Sequence, residues 1–198
     1  FRSSDEKISI VPHFIKSYGQ QDTQDKEDRF VFIGRLGKQK QVDHLIKSYN
    51  QFLKNGHQTK LAIYGADEQN QKQVILDLVK EYQIEDKVDL NDFTKHPLEE
   101  FKKSKASLLT SEYEGFGLTV MESIEVGCPV IAYDVRYGPG EIIEHGENGY
   151  LVEPDNIEAF AAYMDKIIKN PLTKVETKNA LKYEQAKNNY QKLFERVK

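Results

Sequence analysis

Short apolar runs and segments of helical periodicity alternate along this chain. Runs of strand-forming residues lie at Arg29–Ile33, Lys60–Tyr64 and Ala106–Leu109, and at 88–90, 129–133 and 150–152. Apolar positions recur at helical spacing over 41–54, 74–82, 118–125, 157–168 and 174–198, and Pro97 opens a short helix that ends at Lys103. This alternation predicts an α/β fold, a Rossmann-like parallel sheet with helices on both faces.

The first 28 residues show a weaker pattern. Residues 7–11, followed by Pro12, are typical of a short strand that leads into a loop. Residues 16–28 are polar and charged, which favours an exposed loop. Because the chain begins with Phe1 rather than with Met, we expect it to be a fragment of a longer protein.

Composition and charge narrow the classes of function. With 198 residues, 38% of them hydrophobic and 30% charged, the chain is large enough for one sizeable globular domain. A net charge of −4 gives no bulk electrostatic support for binding nucleic acid. Cys128 is the single cysteine, so no internal disulfide is possible, which fits a reducing, cytoplasmic location. We expect no transmembrane segment, and no metal site because the histidines lack metal-ligand spacing.

Polar residues and glycines follow several of the predicted strands. Arg35 and Lys40 follow the strand at Arg29–Ile33, residues 91–94 follow the strand at 88–90, and residues 114–117 follow the strand at Ala106–Leu109. In a parallel sheet these loops converge at the carboxyl edge of the strands, where ligands bind. The sequence therefore predicts a site at this edge.

The chemistry of this predicted site suits a nucleotide sugar. Arg35 and Lys40 can neutralise a diphosphate, and backbone N–H groups near Gly115 and Gly117 can approach phosphate oxygens closely. Seven residues separate Glu114 from Glu122, so a loop carboxylate and a helix carboxylate can accept hydrogen bonds from hydroxyls in one crevice.

One stretch carries a family resemblance. The run E-G-F-G-L-T-V-M-E, from Glu114 to Glu122, followed by S-I-E-V-G-C-P-V-I-A, resembles the Glu-x7-Glu signature of retaining glycosyltransferases of family 4, which have the GT-B fold. The residues Gly34-Arg35-Leu36 and Lys40 match the family's Gly-Arg-Leu…Lys pattern, although Gln41 stands where the family often has glycine. Residues 133–139 are similar to the bacterial branch that glucosylates or N-acetylglucosaminylates wall teichoic acid or serine-rich surface proteins.

The resemblance implies that residues 1–198 form the carboxy-terminal, donor-binding domain of such an enzyme. Residues 1–28 would lead in from the interdomain linker, and residues 174–198 would form the last helix. The implied reaction is metal-independent, with retention of the α-configuration, and moves glucose or N-acetylglucosamine from a UDP-sugar to an acceptor hydroxyl. No cofactor beyond the UDP-sugar is expected.

Site residues follow from the same resemblance. The implied catalytic residues are Arg35, Lys40 and Glu114. The implied donor-binding residues are Gly34, Asn91, Phe93, Thr94, Gly115, Phe116, Gly117, Leu118 and Glu122. Phe116 could equally pack inside the domain, and Arg136 could be structural or could meet the other domain.

The resemblance also implies a second domain, which is not part of this chain. The acceptor, a polymer or a protein, would be bound by a missing amino-terminal domain, which could also place the enzyme at the inner membrane face. We therefore expect the isolated chain to be inactive or nearly so. Two other classes stay open: a GT-B-type UDP-sugar epimerase and a non-catalytic GT-B partner or chaperone subunit.

Overall fold

Six strands and seven helices make up the part of the chain that the computed structural model describes, residues 14–15 and 26–197. The strands are β1 Arg29–Ile33, β2 Lys60–Tyr64, β3 Val88–Asn91, β4 Ala106–Leu109, β5 Val130–Tyr133 and β6 Gly149–Val152. The helices are α1 Val42–Lys54, α2 Gln71–Glu81, α3 Pro97–Lys103, α4 Leu118–Glu125, α5 Pro139–Ile142, α6 Ile157–Lys169 and α7 Tyr183–Val197. Two 3₁₀ turns lie at Lys38–Lys40 and Asn179–Leu181.

All of the strand pairs are parallel, in the order β3-β2-β1-β4-β5-β6. From β1 the chain runs outward through β2 to β3 and then crosses to β4 on the other side of β1. The direction of strand order therefore reverses between β1 and β4. In open α/β sheets this switch point, at the carboxyl ends of the strands, is where a ligand-binding crevice forms.

Helices cover both faces of the sheet, which confirms the predicted fold class. Alternate residues of β1 point to opposite sides: Phe30 packs edge-on against Phe52 of α1, with ring centroids 5.3 Å apart, whereas Val31 joins a cluster with Phe101 of α3. Strands β4 and β5 are buried along their whole length, as expected when helices lie above and below them. Within the described residues, no helix has the length and apolarity needed to cross a membrane.

The last predicted helix was wrong over its first third. Helix α7 begins at Tyr183, not at residue 174. The hydroxyl of Thr177 donates to Oε2 of Glu125 at 2.6 Å, and Val175 and Thr177 are both buried, so tertiary contacts hold this segment against α4 in a non-helical path. The short helix α5, which Pro139 opens, is not among the helices that the periodicity predicted.

The lead-in segment can be compared only in part. The predicted strand at 7–11 and the predicted loop over 16–25 lie outside the described residues. In the described remainder of that loop, the ammonium of Lys26 donates to the carbonyls of Ser104 and Gly127, both at 3.0 Å. Residue 26 is therefore anchored and half-buried rather than freely exposed, and its burial lowers the pKa of the Lys26 ammonium.

Candidate active site

The loop that follows β1 is fixed by the neighbouring loop after β2. The N–H of Gly34 donates to the carbonyl of Tyr64 at 3.0 Å, and the N–H of Leu36 donates to the carbonyl of Ala66 at 2.8 Å. A Cβ added at Gly65 would lie 2.0 Å from the Gly34 carbonyl oxygen, so only glycine permits this approach. These contacts set the path of the loop as it leaves the sheet towards Arg35 and Lys40.

The same loop enters α1 through a left-handed residue. Gln41 has φ 43° and ψ 52°, a conformation that glycine adopts without strain. Glycine, the residue that the resemblance leads us to expect here, would fit this backbone better than Gln41 does. The hydroxyl of Thr110 lies 3.0 Å from the carbonyl oxygens of both Lys40 and Gln41, and thereby ties this turn to the end of β4.

The loop after β4 is joined to the loop after β1 across the switch point. The N–H of Glu112 donates to the carbonyl of Gln39 at 2.8 Å, and the side-chain amide of Gln39 donates to the carbonyl of Tyr113. The two loops therefore form one hydrogen-bonded unit.

Lys40 and Glu114 meet where the loop after β1 and the loop after β4 join, a place that we call the junction. The ammonium Nζ of Lys40 lies 2.6 Å from Oε1 of Glu114, and the two side chains are only 14% and 10% exposed. The hydroxyl of Ser111 also donates to Oε1 of Glu114, at 2.7 Å. Two residues that the resemblance implies to be catalytic are thus in direct contact.

Helix α4 begins where the loop after β4, residues 110–117, ends. We call this loop the signature loop. Gly117 caps the helix in a left-handed conformation with φ 88°, and its carbonyl accepts from the N–H groups of Val120 and Met121. The N–H groups of Leu118 and Thr119, which precede these two, have no carbonyl within the helix to bind, and they lie at the positive end of the helix dipole. An anion at this position would be stabilised.

Glu122 lies one turn along α4 and is partly buried. Burial raises the pKa of its carboxyl group, because the charged form loses hydration. Across residues 14–15 and 26–197, no hydrogen bond or ion pair to its side chain is found. A carboxylate that is desolvated but without a protein partner is well suited to accept hydrogen bonds from ligand hydroxyls.

The loop after β5 packs against the signature loop. Gly138 has φ 86°, and a Cβ placed there would lie 2.7 Å from the carbonyl oxygen of Phe116 and 3.3 Å from Cβ of Glu114. Gly117 in turn lies against Ile142 of α5. The loop that carries Glu114 and Phe116 is therefore packed onto α5 and the residue before it.

Arg35 follows β1 as predicted, and its guanidinium is paired with Glu68. Its Nη1 lies 3.2 Å from Oε1 of Glu68 in the loop after β2, and the Arg35 side chain is 70% exposed. Exposed ion pairs of this kind contribute about 0–1 kcal/mol. The guanidinium can therefore exchange Glu68 for another anion at little cost.

Asn91 at the end of β3, and Phe93 and Thr94 just after it, stand apart from this junction, because the strands β2 and β1 lie between β3 and β4. Phe93 is 73% exposed, Asn91 donates to the carbonyl of Asp89, and the Thr94 hydroxyl accepts from the N–H of His96. Among the described residues, no hydrogen bond or ion pair joins these three side chains to Glu114. Their part in donor binding stays a prediction.

Sequence reasoning missed three side chains of the junction: Gln39, Thr110 and Ser111. Each acts through a hydrogen bond to the other loop or to Glu114, which no periodicity reveals. The sequence did offer one signal for this site, the polar pair Thr110 and Ser111 directly after the apolar strand β4. Both residues are buried in the structure. In the described part of the chain, no group of three potential ligands could hold a metal ion.

Comparison with known proteins places the chain in a family. Residues 15–188 match the family described as Glycosyl transferases group 1. The poly(glycerol-phosphate) alpha-glucosyltransferase of Bacillus subtilis (strain 168) is 34% identical over 143 residues, which are 72% of this chain and 21% of that protein. The poly(ribitol-phosphate) alpha-N-acetylglucosaminyltransferase of Staphylococcus aureus (strain COL) is 30% identical over 171 residues, which are 86% of this chain and 34% of that protein.

Solved structures agree with these matches. A mutant of TarM from S. aureus, crystallised with Fondaparinux, alpha-GlcNAc-glycerol and UDP, has a TM-score of 0.76 and 27% identity over 98% of this chain and 37% of its own. The pneumococcal O-GlcNAc transferase GtfA, in complex with UDP and GlcNAc, has a TM-score of 0.75 and 27% identity over 93% of this chain and 38% of its own. The chain thus spans well under half the length of these proteins.

Proposed function

We propose, from the premise that the chain belongs to the glycosyl transferases group 1 family, that it is the donor-binding half of a hexosyltransferase. The enzyme would move glucose or N-acetylglucosamine from a UDP-sugar to an acceptor hydroxyl. The observation that supports this most is the contact of Lys40 with Glu114, 2.6 Å apart, between the two loops at the switch point of the sheet.

The diphosphate of the donor would lie at the amino-terminal end of α4. The N–H groups of Leu118 and Thr119, at the start of the helix, would donate to its oxygens. Arg35 would leave its exposed partner Glu68 and bind the phosphates through its planar fork, while Lys40 supplies a compact positive charge. Charge that develops on the departing diphosphate as the sugar–phosphate bond breaks would be stabilised by these cations.

Two carboxylates would position the rest of the donor. Glu122 would accept hydrogen bonds from ribose hydroxyls, which suits its desolvated and unpaired state. Glu114 would accept hydrogen bonds from hydroxyls of the transferred sugar. Loss of either carboxylate would remove contacts to one part of the donor and leave the other part bound.

Retention of configuration and independence from metal ions are part of this proposal. Arg35 and Lys40 would together carry the positive charge that a divalent cation supplies to other nucleotide-sugar enzymes. The similarity to the glucosyltransferase of B. subtilis and to the N-acetylglucosaminyltransferase of S. aureus supports either of the two sugars. The product would be an α-glycoside.

The acceptor would be bound outside this chain. Since the chain spans 21% and 34% of the two relatives, a further domain would supply the acceptor side of the cleft. We propose that this domain precedes the chain, and that the chain alone binds UDP-sugar weakly and transfers little. A cytoplasmic enzyme, held at the inner membrane face through that domain, would meet a cell-wall polymer or a surface protein before export.

The test is a transfer assay on the full-length protein that contains this chain. It would be incubated with UDP-glucose or UDP-N-acetylglucosamine and with poly(glycerol phosphate), poly(ribitol phosphate) or a serine-rich peptide. The expected result is an α-linked product in the NMR spectrum, formed equally well with EDTA and lost in Glu114→Gln. A β-linked product, or an epimerised sugar nucleotide formed without acceptor, would contradict the proposal.

A further inference from the structure

Both donors that hold Glu114 bind the same carboxylate oxygen. The Lys40 ammonium and the Ser111 hydroxyl lie 2.6 Å and 2.7 Å from Oε1. No partner of the other oxygen, Oε2, is found among the described residues. The remaining acceptor capacity of Glu114 is therefore concentrated on Oε2, where a ligand hydroxyl can be met.

The two groups that donate hydrogen bonds to Glu114, on Lys40 and Ser111, differ in their freedom to move. Lys40 reaches Glu114 through a flexible four-carbon stem, and its ammonium is also the charge proposed for the donor phosphates. Ser111 has a single side-chain torsion to its oxygen, is 1% exposed and lies two residues beyond the end of β4. If a diphosphate draws the ammonium of Lys40 away, the Ser111 hydroxyl still holds Oε1.

We propose that Ser111 is a positioning residue, which fixes the carboxylate of Glu114 so that Oε2 faces the transferred sugar. This inference deepens the proposed function and rests on it. Ser111 itself does not touch the donor. It acts through Glu114, so its loss should affect recognition of the sugar and spare recognition of UDP.

The chain offers a matched control in Ser107. Ser107 lies on β4, is 6% exposed, and its hydroxyl is 2.8 Å from that of Ser123. It has the same chemistry and a similar burial to Ser111, but no bond to Glu114. Ser107→Ala therefore measures what removal of a buried hydroxyl near this strand does to stability alone.

The experiment is a double-mutant cycle by calorimetry on the full-length protein that contains this chain. UDP, UDP-glucose and UDP-N-acetylglucosamine are titrated into wild type, Ser111→Ala, Glu114→Gln, the double variant and Ser107→Ala. Ser111→Cys, which keeps the size of the side chain and donates weakly, is the substitute if Ser111→Ala does not fold. Thermal unfolding of each variant establishes that it is folded at the titration temperature.

We expect Ser111→Ala to weaken binding of the preferred UDP-sugar about tenfold while UDP binds within about twofold of wild type, since a hydrogen bond to a charged group is among the stronger ones. In the Glu114→Gln background the same change should cost nothing further, because the two residues act as one unit. Ser107→Ala should bind all three ligands as the wild type does.

Two results would overturn the inference alone. One is an equal loss for UDP and UDP-sugar, or no loss for either, in Ser111→Ala. The other is a full additional loss in the double variant, which would make Ser111 independent of Glu114. Failure of the wild type to bind UDP or any UDP-sugar would instead contradict the proposed function, and the inference would fall with it.

Discussion

The ammonium of Lys40 and the carboxylate of Glu114 lie 2.6 Å apart, although 74 positions separate them in the sequence. One follows β1 and the other follows β4, the two strands between which the order of the sheet reverses. The pair therefore closes the switch point and connects the loop that would bind phosphate to the loop that would bind sugar.

Lys40→Met should destabilise the chain by about 2–4 kcal/mol, because it leaves the Glu114 carboxylate, whose side chain is 10% exposed, without its cation. The matched control is Lys38→Met on the same 3₁₀ turn, where the side chain is exposed and the expected change is within about 0.5 kcal/mol. Urea unfolding of the three proteins gives both differences. Equal losses for the two variants would show that the pair does not stabilise the fold.

Gly138→Ala should destabilise the chain far more than Gly146→Ala. Both glycines have a positive φ, 86° and 87°, so alanine meets the cost of a positive φ at either site. At Gly138 the new Cβ would lie 2.7 Å from the Phe116 carbonyl oxygen, whereas at Gly146 nothing lies within 4 Å. Thermal unfolding should separate the variants, and similar melting temperatures would show that the signature loop does not depend on this contact.

Gln41→Gly should leave stability unchanged or raise it by up to about 1 kcal/mol, because the left-handed φ of 43° is free of strain only for glycine. The side chain has a buried Oε1 that lacks a hydrogen-bond partner in the described structure, and its Nε2 donates one exposed bond of 3.3 Å to Oδ1 of Asp155, so little is lost with it. In contrast, Gln51→Gly in the interior of α1 should cost about 1 kcal/mol. A comparable loss at both sites, in chemical denaturation, would contradict the strain argument at Gln41.

Glu122→Gln should stabilise the chain at neutral pH. Burial raises the pKa of Glu122 above its value in the unfolded chain, so the stability this group contributes is present at low pH and is lost as the pH rises through the raised pKa. The advantage of the variant should therefore be greatest at pH 7 and should narrow as the pH falls towards the ordinary glutamate value of about 4.3. The readout is the melting temperature as a function of pH, with the exposed Glu85→Gln as control.

The opposite pH dependence, or no difference between Glu122→Gln and Glu85→Gln, would show that Glu122 does not carry a desolvation cost. The same variant should bind UDP less tightly, since an amide is a poorer acceptor for ribose hydroxyls than a carboxylate. Glu122 would then lower the stability of the fold while it strengthens ligand binding, a trade-off that is common at functional sites.

Much of the fold could be predicted because local patterns and tertiary structure agree. The runs at β1, β2 and β4 match their predicted bounds, since each is apolar and is followed by glycine or polar residues. The segment from 174 to 182 could not be predicted, because its path depends on the hydrogen bond of Thr177 to Glu125, 52 positions away, and not on its own periodicity. Parallel topology alone brought the loops after β1 and β4 together, as expected.

The side-chain partners within the site could not be predicted from the sequence. Sequence patterns could not assign Arg35 to Glu68 rather than to Glu114, since the choice depends on how two surface loops pack. The role proposed for Ser111 could not be predicted either, because it rests on the 2.7 Å hydrogen bond to Oε1 of Glu114, which no sequence pattern reveals.

The central claim is that the carboxyl edge between β1 and β4 binds a UDP-sugar. The most direct measurement is calorimetric titration of the chain with UDP, UDP-glucose and UDP-N-acetylglucosamine, for the wild type, for Arg35→Ala and for the neighbouring control Lys38→Ala. We expect wild type and Lys38→Ala to bind alike and Arg35→Ala to bind at least about tenfold more weakly, as loss of a charge-assisted phosphate contact predicts. No binding of any of the three by wild type, or equal binding by wild type and Arg35→Ala, would contradict the claim.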